Sequence, residues 1–295
     1  MKILLLGKNG QVGWELQRAL SPLGELIALD RHGEANLCGD LTDFDNLKRS
    51  VETLKPDVIV NAAAYTAVDK AETELQLARD INTTAPGILA KAAASIGALL
   101  IHYSTDYVFD GSASKPWTEL DTPSPINHYG KTKLEGEHLI QASGCHYLIF
   151  RTSWVYGLHG NNFIKTMLRL MLEKKSLSVI NDQLGAPTGA DLIADITSQI
   201  LSSVRKNRRI KEIYHLAPQG ETSWYEYANL ILKQGVSNSR LKEIIITPIP
   251  SKQYPTPAAR PRNSRLDTNK LVADFSLYLP PWENGVNRML TNFLR

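Results

Sequence analysis

The chain has 295 residues, enough to bury a large core in one or two domains. Charged residues make up 21% of it and hydrophobic residues 43%, proportions typical of a soluble globular protein. The net charge of +3 is too small and too dispersed for a nucleic-acid-binding protein, and we expect the densest basic run, residues 205–209, to be a solvated turn.

The two cysteines, Cys38 and Cys145, occur without C-x-x-C spacing or a histidine cluster. This argues against a disulfide framework or a zinc site and predicts a protein of the reducing cytoplasm. The first apolar run, residues 3–6, is too short for a signal sequence or a membrane span, so we expect no membrane partner.

The first predicted element is a buried strand, residues 2–6, which leads into a glycine-rich turn and an amphipathic helix. In this context G-x-x-G-x-x-G indicates a dinucleotide site, although a turn without a ligand is the alternative. The first glycine would permit the tight turn, the second would let a pyrophosphate approach the helix N-terminus, and the third would let helix and strand pack closely. We assign to the cofactor Gly7, Gly10, Gln11, Val12 and Gly13.

A second strand, residues 26–29, ends at Asp30 and is followed by Arg31. An acid here can bind the adenosine ribose hydroxyls, whereas an arginine can hold a 2′-phosphate, so we expect use of both NADH and NADPH. Further on, Asp40 either meets the adenine amino group or caps a helix predicted at 43–54. We assign Asp40 and the adjacent Leu41 to the cofactor site.

A third buried strand, residues 57–61, runs into small residues that leave space for a cofactor, and we assign Ala63, Ala64 and Tyr65 to that site. Asn82, between a helical region that opens at residue 68 and a helix at 86–94, is either a polar brace beside the cofactor or a simple cap. A fourth strand, residues 98–103, ends in Ser104-Thr105-Asp106, where a parallel sheet carries its chemistry.

Tyr129 and Lys133 are four residues apart, so in a helix both side chains lie on one face. A neighbouring ammonium favours phenolate and should lower the pKa of the tyrosine from about 10 toward neutral. Such a tyrosine can protonate a carbonyl oxygen. Because Y-x-x-x-K is frequent by chance, an ordinary surface pair is the alternative for this motif alone.

A further strand at 146–152 completes an alternation of strands and helices, which predicts an α/β fold with a Rossmann-type doubly wound parallel sheet. We expect residues 1–152 to form the NAD(P)-binding domain. Residues 153–295 should form mainly a smaller substrate-binding lobe, with some elements returning to the first domain. Its predicted elements are helices at 161–175 and 191–201, a short edge strand at 214–216, and a loop-rich region with prolines between Pro248 and Pro261.

The glycine turn, Ser104-Thr105 and the Tyr129/Lys133 pair, in this order, resemble the extended short-chain dehydrogenase/reductases. Within them the chain is most similar to the dTDP-4-dehydrorhamnose reductase family, through sequence blocks that span nearly its whole length and therefore support a shared substrate. The blocks are G-K-N-G-Q-V-G at 7–13, N-A-A-A-Y-T-A-V-D-K-A-E at 61–72, S-T-D-Y-V-F-D-G at 104–111, Y-G-K-T-K-L-E-G-E at 129–137, F-R-T-S-W-V-Y-G at 150–157, I-N-D-Q-L-G-A-P-T at 180–188 and R-P-R-N-S-R-L-D at 260–267.

The resemblance implies roles for the catalytic residues. Tyr129 would be the proton donor, Lys133 would hold the nicotinamide ribose, and Thr105 would bond the reacting carbonyl oxygen. Tyr103 is assigned to the cofactor with Tyr129 and Lys133. The substrate positions are Thr105 and, by the same resemblance, Val68, Asp106, Trp154 and Arg260; Arg260 and Arg262 could pair with the nucleotide pyrophosphate or lie in a surface loop.

The resemblance also bears on a metal and on assembly. Similar enzymes bind Mg²⁺ at a dimer contact through acidic residues, and Glu15 and Asp191 correspond to such positions. Asn292 stands where a third acid is required, so we assign no metal residues. A homodimer is suggested by this analogy alone.

The implied activity is the NADPH- or NADH-dependent reduction of dTDP-6-deoxy-L-lyxo-4-hexulose to dTDP-L-rhamnose. A 4-epimerase or 4,6-dehydratase on the same scaffold is one alternative; dehydratases of this superfamily place Asp-Glu after the threonine, whereas here Asp106 is followed by Tyr107. The other alternative is a non-catalytic regulatory subunit, similar to the one that binds methionine adenosyltransferase, but such proteins can lose the catalytic residues that this chain retains.

Overall fold

A computed structural model describes residues 1–204 and 209–293. Its strands are β1 (Lys2–Leu6), β2 (Glu25–Leu29), β3 (Val58–Asn61), β4 (Leu99–Thr105), β5 (His146–Thr152), β6 (Val155–Tyr156), β7 (Ser176–Ile180), β8 (Leu184–Gly185), β9 (Thr188–Gly189), β10 (Lys211–His215), β11 (Thr222–Ser223) and β12 (Ile245–Ile249). Its α-helices are α1 (Gln11–Leu20), α2 (Phe44–Leu54), α3 (Val68–Ala71), α4 (Leu75–Arg79), α5 (Ala85–Ile96), α6 (His128–Ala142), α7 (Phe163–Glu173), α8 (Ala190–Ser203), α9 (Trp224–Ser237), α10 (Asn269–Phe275) and α11 (Trp282–Phe293).

Six of these strands form one parallel sheet in the order β10-β5-β4-β3-β1-β2. Strands β1, β3 and β4 are buried on both faces, which explains their continuous apolar sequences. The strand order reverses between β1 and β3, since β2 lies on one side of β1 and β3 on the other. Ligands bind outside the carboxyl ends of parallel strands at such a point.

Helices cover both faces of the sheet. On one face α1 and α8 contribute Leu16, Ile193 and Ile200 to a core with β1, β3 and β4. On the other face α2 and α5 contribute Val51 and Leu89 to a separate core. This arrangement confirms the predicted doubly wound α/β fold.

A third core lies among α7, α9, α11, β7 and β12, around Tyr227, Ile231, Trp282 and Val286. The prediction of a loop-rich region from Pro248 onward was wrong at its start, because Pro248 lies inside β12. That strand pairs with β7 alone, so the missing N–H of proline is tolerated.

The predicted helices at 161–175 and 191–201 correspond to α7 and α8, and the predicted edge strand corresponds to β10, which pairs with β5. The two-domain division at residue 152 stays a prediction. We expected the basic run at 205–209 to be a solvated turn. Residues 205–208 of that run lie outside the described residues. Within the described ranges, no helix combines the length and the apolar character needed to cross a bilayer.

Candidate active site

The glycine turn lies at the carboxyl end of β1, where the strand order reverses. Gly7 has φ +84°, and a Cβ there would lie 2.7 Å from the backbone N of Ala63. A Cβ on Gly13 would lie 2.0 Å from the Gly7 carbonyl oxygen. Gly10 precedes α1, whose first N–H groups have no partner within the helix. The turn therefore requires glycine and places the helix N-terminus beside the segment after β3.

Gln11 and Val12, also assigned to the cofactor, have protein partners. The Gln11 Oε1 accepts a hydrogen bond of 2.9 Å from Asn162 Nδ2, which connects the glycine turn to the loop before α7. Val12 is partly buried against the core. Their backbone groups at the start of α1 remain the parts available to an anion.

Asp30 follows β2 as predicted, and its carboxylate has two donors. Asn9 Nδ2 donates to Oδ2 at 2.8 Å, and the backbone N–H of His32 donates to Oδ1 at 2.9 Å. The bond from His32 is the main cause of a lowered Asp30 pKa, so the group is a carboxylate at neutral pH. Arg31 is exposed, and its Nε donates to His32 Nε2 at 3.4 Å. Sequence reasoning had given Asn9 no role.

The alternative that Asp40 caps the following helix was wrong. Asp43 is the cap of α2 and accepts from the backbone N–H of Asn46. The Asp40 Oδ1 instead accepts from the backbone and the hydroxyl of Thr42, both at 2.8 Å. Leu41 is 4% exposed and packs in the core, so its side chain is not available to a ligand.

Asn82 is a brace and not a cap. The backbone N–H of Tyr65 donates to its Oδ1 at 2.9 Å, and its Nδ2 donates to the Tyr65 carbonyl at 3.0 Å and to Thr132 Oγ1 at 3.2 Å. These bonds fix the segment that contains Ala63, Ala64 and Tyr65 against α6. The Tyr65 hydroxyl donates to Glu74 Oε2 at 2.8 Å.

The structure brings together Thr105, Asp106 and Tyr129. Thr105 is the last residue of β4, and its side chain is hydrogen-bonded to that of Tyr129. The Thr105 hydroxyl also donates to Asp106 Oδ1 at 3.2 Å, and the backbone N–H of Tyr107 donates to it at 3.2 Å. Helix α6 begins just before Tyr129 because Asn127 Oδ1 accepts from the N–H of Gly130 at 2.7 Å.

The predicted lowering of the Tyr129 pKa was wrong for this structure. Burial raises the pKa of Tyr129 to about 12; the Thr105 hydrogen bond opposes this rise and Asp106 adds to it. The ammonium expected beside the phenol is directed elsewhere: Lys133 Nζ lies 2.7 Å from the Tyr103 carbonyl oxygen and 3.1 Å from His102 Nε2. Burial also lowers the pKa of Lys133 to about 8.

The side chain of Tyr103 points away from this site. Its hydroxyl is 2.8 Å from Thr197 Oγ1, on the core face covered by α8. Tyr103 therefore contributes its carbonyl oxygen to the surroundings of Lys133, and its assignment to the cofactor stays a prediction.

Asp106 is 2% exposed, and its Oδ2 has no hydrogen-bond partner among the described residues. Burial raises its pKa to about 7, and hydrogen bonds with Ser264 and Thr105 oppose the rise. Next to it, the ring of Tyr107 packs edge to face against Tyr129 with centroids 5.7 Å apart. The position after Asp106 therefore presents an aromatic ring and not a second carboxylate.

A buried charge network behind the site was missed by sequence reasoning. Glu137 accepts from Arg151 and from Ser104, the residue before Thr105. The signal was present in the sequence: Glu137 follows Lys133 by one helical turn, and an acid on a buried helix face requires a partner.

The other predicted substrate residues, Val68, Trp154 and Arg260, lie on three separate segments. Val68 begins α3, and the next residue, Asp69, forms a two-point ion pair with Arg260 at 2.8 and 3.0 Å. Arg262 is exposed. Trp154 has φ +48° and stacks on Trp224 with ring centroids 3.6 Å apart.

The three positions considered for Mg²⁺ line one cavity of about 270 Å³: Glu15, Asp191 and Asn292. Two arginines share it. Arg288 forms an ion pair with Asp191, and Arg18 pairs with Glu15 at 3.5 Å. Within the described residues, no group of three or more His, Cys, Asp or Glu side chains is arranged to hold a metal. Arginine-paired carboxylates and an amide do not fit a divalent cation, which favours several free oxygen ligands.

Comparisons with known proteins give consistent results. Residues 1–295 match the family described as RmlD substrate binding domain. The dTDP-4-dehydrorhamnose reductase of Salmonella typhimurium is 52% identical over 295 residues, covering 99% of this chain and 97% of that protein. The structure of the dTDP-4-dehydrorhamnose reductase ortholog from Clostridium acetobutylicum superposes with TM-score 0.88 at 36% identity and full coverage of both chains. That of the Bacillus anthracis reductase in complex with NADP superposes with TM-score 0.87 at 34% identity, covering 99% and 100% of the two chains.

Proposed function

Because the chain belongs to the RmlD family, in which relatives such as the S. typhimurium protein are dTDP-4-dehydrorhamnose reductases, we propose that it reduces dTDP-6-deoxy-L-lyxo-4-hexulose to dTDP-L-rhamnose. The observation that carries the proposal is the hydrogen-bonded pair of Thr105 and Tyr129 at the carboxyl edge of the sheet. Two hydroxyl groups placed together can bind one carbonyl oxygen and protonate it as it is reduced.

Each catalytic side chain then has one task. Tyr129 is protonated at neutral pH, because its pKa is raised, and gives its proton to the sugar O4. Thr105 hydrogen-bonds the same oxygen and holds it in place. Lys133 holds the nicotinamide ribose, for which its Nζ must leave the His102 and Tyr103 contacts. The reduced nicotinamide supplies the hydride.

The proposed cofactor is NADPH or NADH. Support comes from the glycine turn at the N-terminus of α1 and from the B. anthracis relative in complex with NADP. Asp30 would bind a free ribose 2′-hydroxyl through its carboxylate, while the exposed Arg31 next to it would bind a 2′-phosphate. Gly7, Gly10, Gly13 and the 63–65 segment would surround the pyrophosphate and nicotinamide.

The sugar nucleotide would be held from both sides of Tyr129. Val68 and Asp106 are the proposed contacts on the sheet side, and Trp154 the contact across from them. For Arg260, the ion pair with Asp69 keeps the guanidinium ordered beside Val68, so a pyrophosphate would bind to a group that is already oriented.

The reductase is favoured over a dehydratase because elimination of water needs both an acid and a base. Only Asp106 is available on this segment, since the neighbouring position is filled by the Tyr107 ring against Tyr129. A cytoplasmic location and a homodimer complete the proposal; the location rests on cysteine usage, and the homodimer rests on the resemblance alone.

The test is to mix the purified protein with NADPH or NADH and a panel of 4-keto sugar nucleotides, and to follow nicotinamide absorbance. Stoichiometric oxidation of the cofactor with dTDP-6-deoxy-L-lyxo-4-hexulose, and formation of dTDP-L-rhamnose, is the expected result. An epimerase would interconvert sugars without net cofactor consumption, and a regulatory subunit would leave both compounds unchanged; either outcome would refute the proposal.

A further inference from the structure

A chain of three buried polar side chains runs from β3 through β4 to α6. Asn61 Nδ2 lies 3.2 Å from His102 Nδ1, and His102 Nε2 lies 3.1 Å from Lys133 Nζ. Each of the three residues is 1% exposed. In such a chain every N–H must face an acceptor, so the orientation of one group fixes the next.

The orientation of Asn61 is set by the backbone. The N–H of Ala63 donates to Asn61 Oδ1 at 3.3 Å. The reversed amide would place two donors against each other there. Asn61 therefore directs its Nδ2–H groups at His102, and an amide nitrogen is a donor only.

The tautomer of His102 follows. Its Nδ1 must accept from Asn61, and burial beside Lys133 holds the pKa of His102 well below the ordinary histidine value. The neutral ring carries one proton, which then lies on Nε2 and points at Lys133 Nζ.

An ammonium group has donors and no acceptor, so it cannot accept the His102 Nε2–H. A neutral amine can, while one of its own N–H bonds donates to the Tyr103 carbonyl at 2.7 Å. We propose that His102 is a positioning residue for Lys133: with its tautomer fixed by Asn61, it holds the lysine as a neutral amine in this pose, so that protonation releases Lys133 toward the cofactor.

The other groups around Lys133 do not reverse this preference. On its own helix, Glu137 favours the charged form, but that carboxylate is already neutralised by Arg151 of β5. Burial acts against the charge and lowers the Lys133 pKa to about 8, in the same direction as the His102 N–H. The remaining titratable groups on the packed elements pair elsewhere: Tyr129 with Thr105, Asp106 with Ser264 and Thr105, and Glu135 with Arg79.

The inference rests on the proposed function for the role of Lys133, and adds a link between its charge and its position. Lysine bound to His102 is neutral, and lysine that has taken a proton is free to hold the ribose. His102 and Asn61 would thus set the pH above which the active arrangement is lost.

The test is the titration of Lys133 in the resting protein by NMR of ¹³C-labelled lysine side chains, with Lys133→Arg identifying the signal. Asn61→Asp keeps an oxygen that accepts from the Ala63 N–H. The new carboxylate also accepts from His102 Nδ1–H, so the histidine proton moves from Nε2 to Nδ1. His102 Nε2 then becomes an acceptor and stabilises the ammonium form of Lys133. His102→Gln offers Lys133 a carbonyl oxygen. Each variant should raise the midpoint of Lys133 by about one pH unit or more, and should move the alkaline limit of kcat in the same direction.

Thr197→Val is the matched control, since it removes a buried hydrogen bond to Tyr103 of the same strand without touching the chain of three. It should leave the midpoint unchanged. An unchanged midpoint in both Asn61→Asp and His102→Gln would overturn the proposal. Should those variants fail to fold, ¹⁵N NMR of the wild-type imidazole decides, because a proton on His102 Nδ1 would equally overturn it. The NMR measurements, which decide the proposal, need no sugar substrate, so inactivity toward the sugar would refute the proposed function alone.

Discussion

Arg151 and Glu137 form a buried ion pair with three hydrogen bonds: Nε donates to Oε1 at 3.0 Å and to Oε2 at 3.2 Å, and Nη2 donates to Oε2 at 2.6 Å. Their side chains are 4% and 1% exposed. The same carboxylate accepts from Ser104, so one acid joins β5, α6 and the end of β4. The elements that carry Thr105, Tyr129 and Lys133 are therefore fixed relative to each other at a point behind the site.

Arg151→Met should destabilise the protein by roughly 3–5 kcal/mol, because it leaves the Glu137 carboxylate buried without its counter-charge. Urea unfolding followed by circular dichroism measures the loss. The exposed pair of Arg169 and Glu173 on α7 is the control, and Glu173→Ala should change the free energy of unfolding by less than about 0.5 kcal/mol. Equal effects of the two substitutions would show that the buried pair has no special role.

Tyr129→Phe should lower kcat by at least ~10²-fold, the usual scale for loss of a positioned acid, while cofactor binding persists. The comparison is Tyr278→Phe, which removes a hydroxyl from a side chain that is 74% exposed and should leave kcat unchanged. Steady-state kinetics and cofactor titration by fluorescence measure the two effects. Near-normal turnover of Tyr129→Phe would remove this residue from the mechanism.

Asp30→Ala should weaken binding of NADH more than that of NADPH, since only a free 2′-hydroxyl uses the carboxylate. Arg31→Ala should have the opposite effect, because it removes a cation beside a 2′-phosphate. Dissociation constants of both cofactors for both variants test the pair. Equal losses with NADH and NADPH in Asp30→Ala would mean that Asp30 only orders Asn9 and the turn at His32.

Asp106 should make stability depend on pH. Its pKa is 3.8 as a free side chain and about 7 in the folded protein, because burial disfavours the carboxylate. Between these values the folded protein keeps a proton that the unfolded chain has lost, so the free energy of unfolding falls as pH rises through the window. Asp106→Asn removes this dependence and should gain stability relative to wild type by a few kcal/mol from about pH 4 to pH 8, at ~1.4 kcal/mol per unit. A pH-independent difference would contradict the raised pKa.

The central sheet could be predicted from sequence because its strands are short apolar runs that end in glycine, small or polar residues. β1 and β5 have the predicted bounds, and β3 differs by one residue. The short pairs β6–β9 and β8–β11 were not predicted, because two-residue strands have no periodicity to detect. β12 was missed because Pro248 indicates a loop unless the strand is known to have a single neighbour.

The proposed catalytic residues Thr105, Tyr129 and Lys133 were predicted from their order, their spacing and the family resemblance, and the first two are in contact. The direction of the Lys133 side chain could not be predicted from the sequence, because helical spacing places a residue on one face of the helix but does not identify its hydrogen-bond partner. That partner, His102, lies opposite Asn61 in the β3–β4 register, a pairing that exists only once the sheet is formed.

The strand order also has a consequence for synthesis of the protein. β5 pairs with β4 on one side and with β10 on the other, through pairs such as Tyr147 with Lys211. A ribosome that has finished β5 must translate α7 and α8 before it reaches β10. Throughout that interval the nascent chain presents an unpaired edge strand, which invites pairing with other chains. Slow translation between residues 152 and 215 should therefore favour aggregation or chaperone capture.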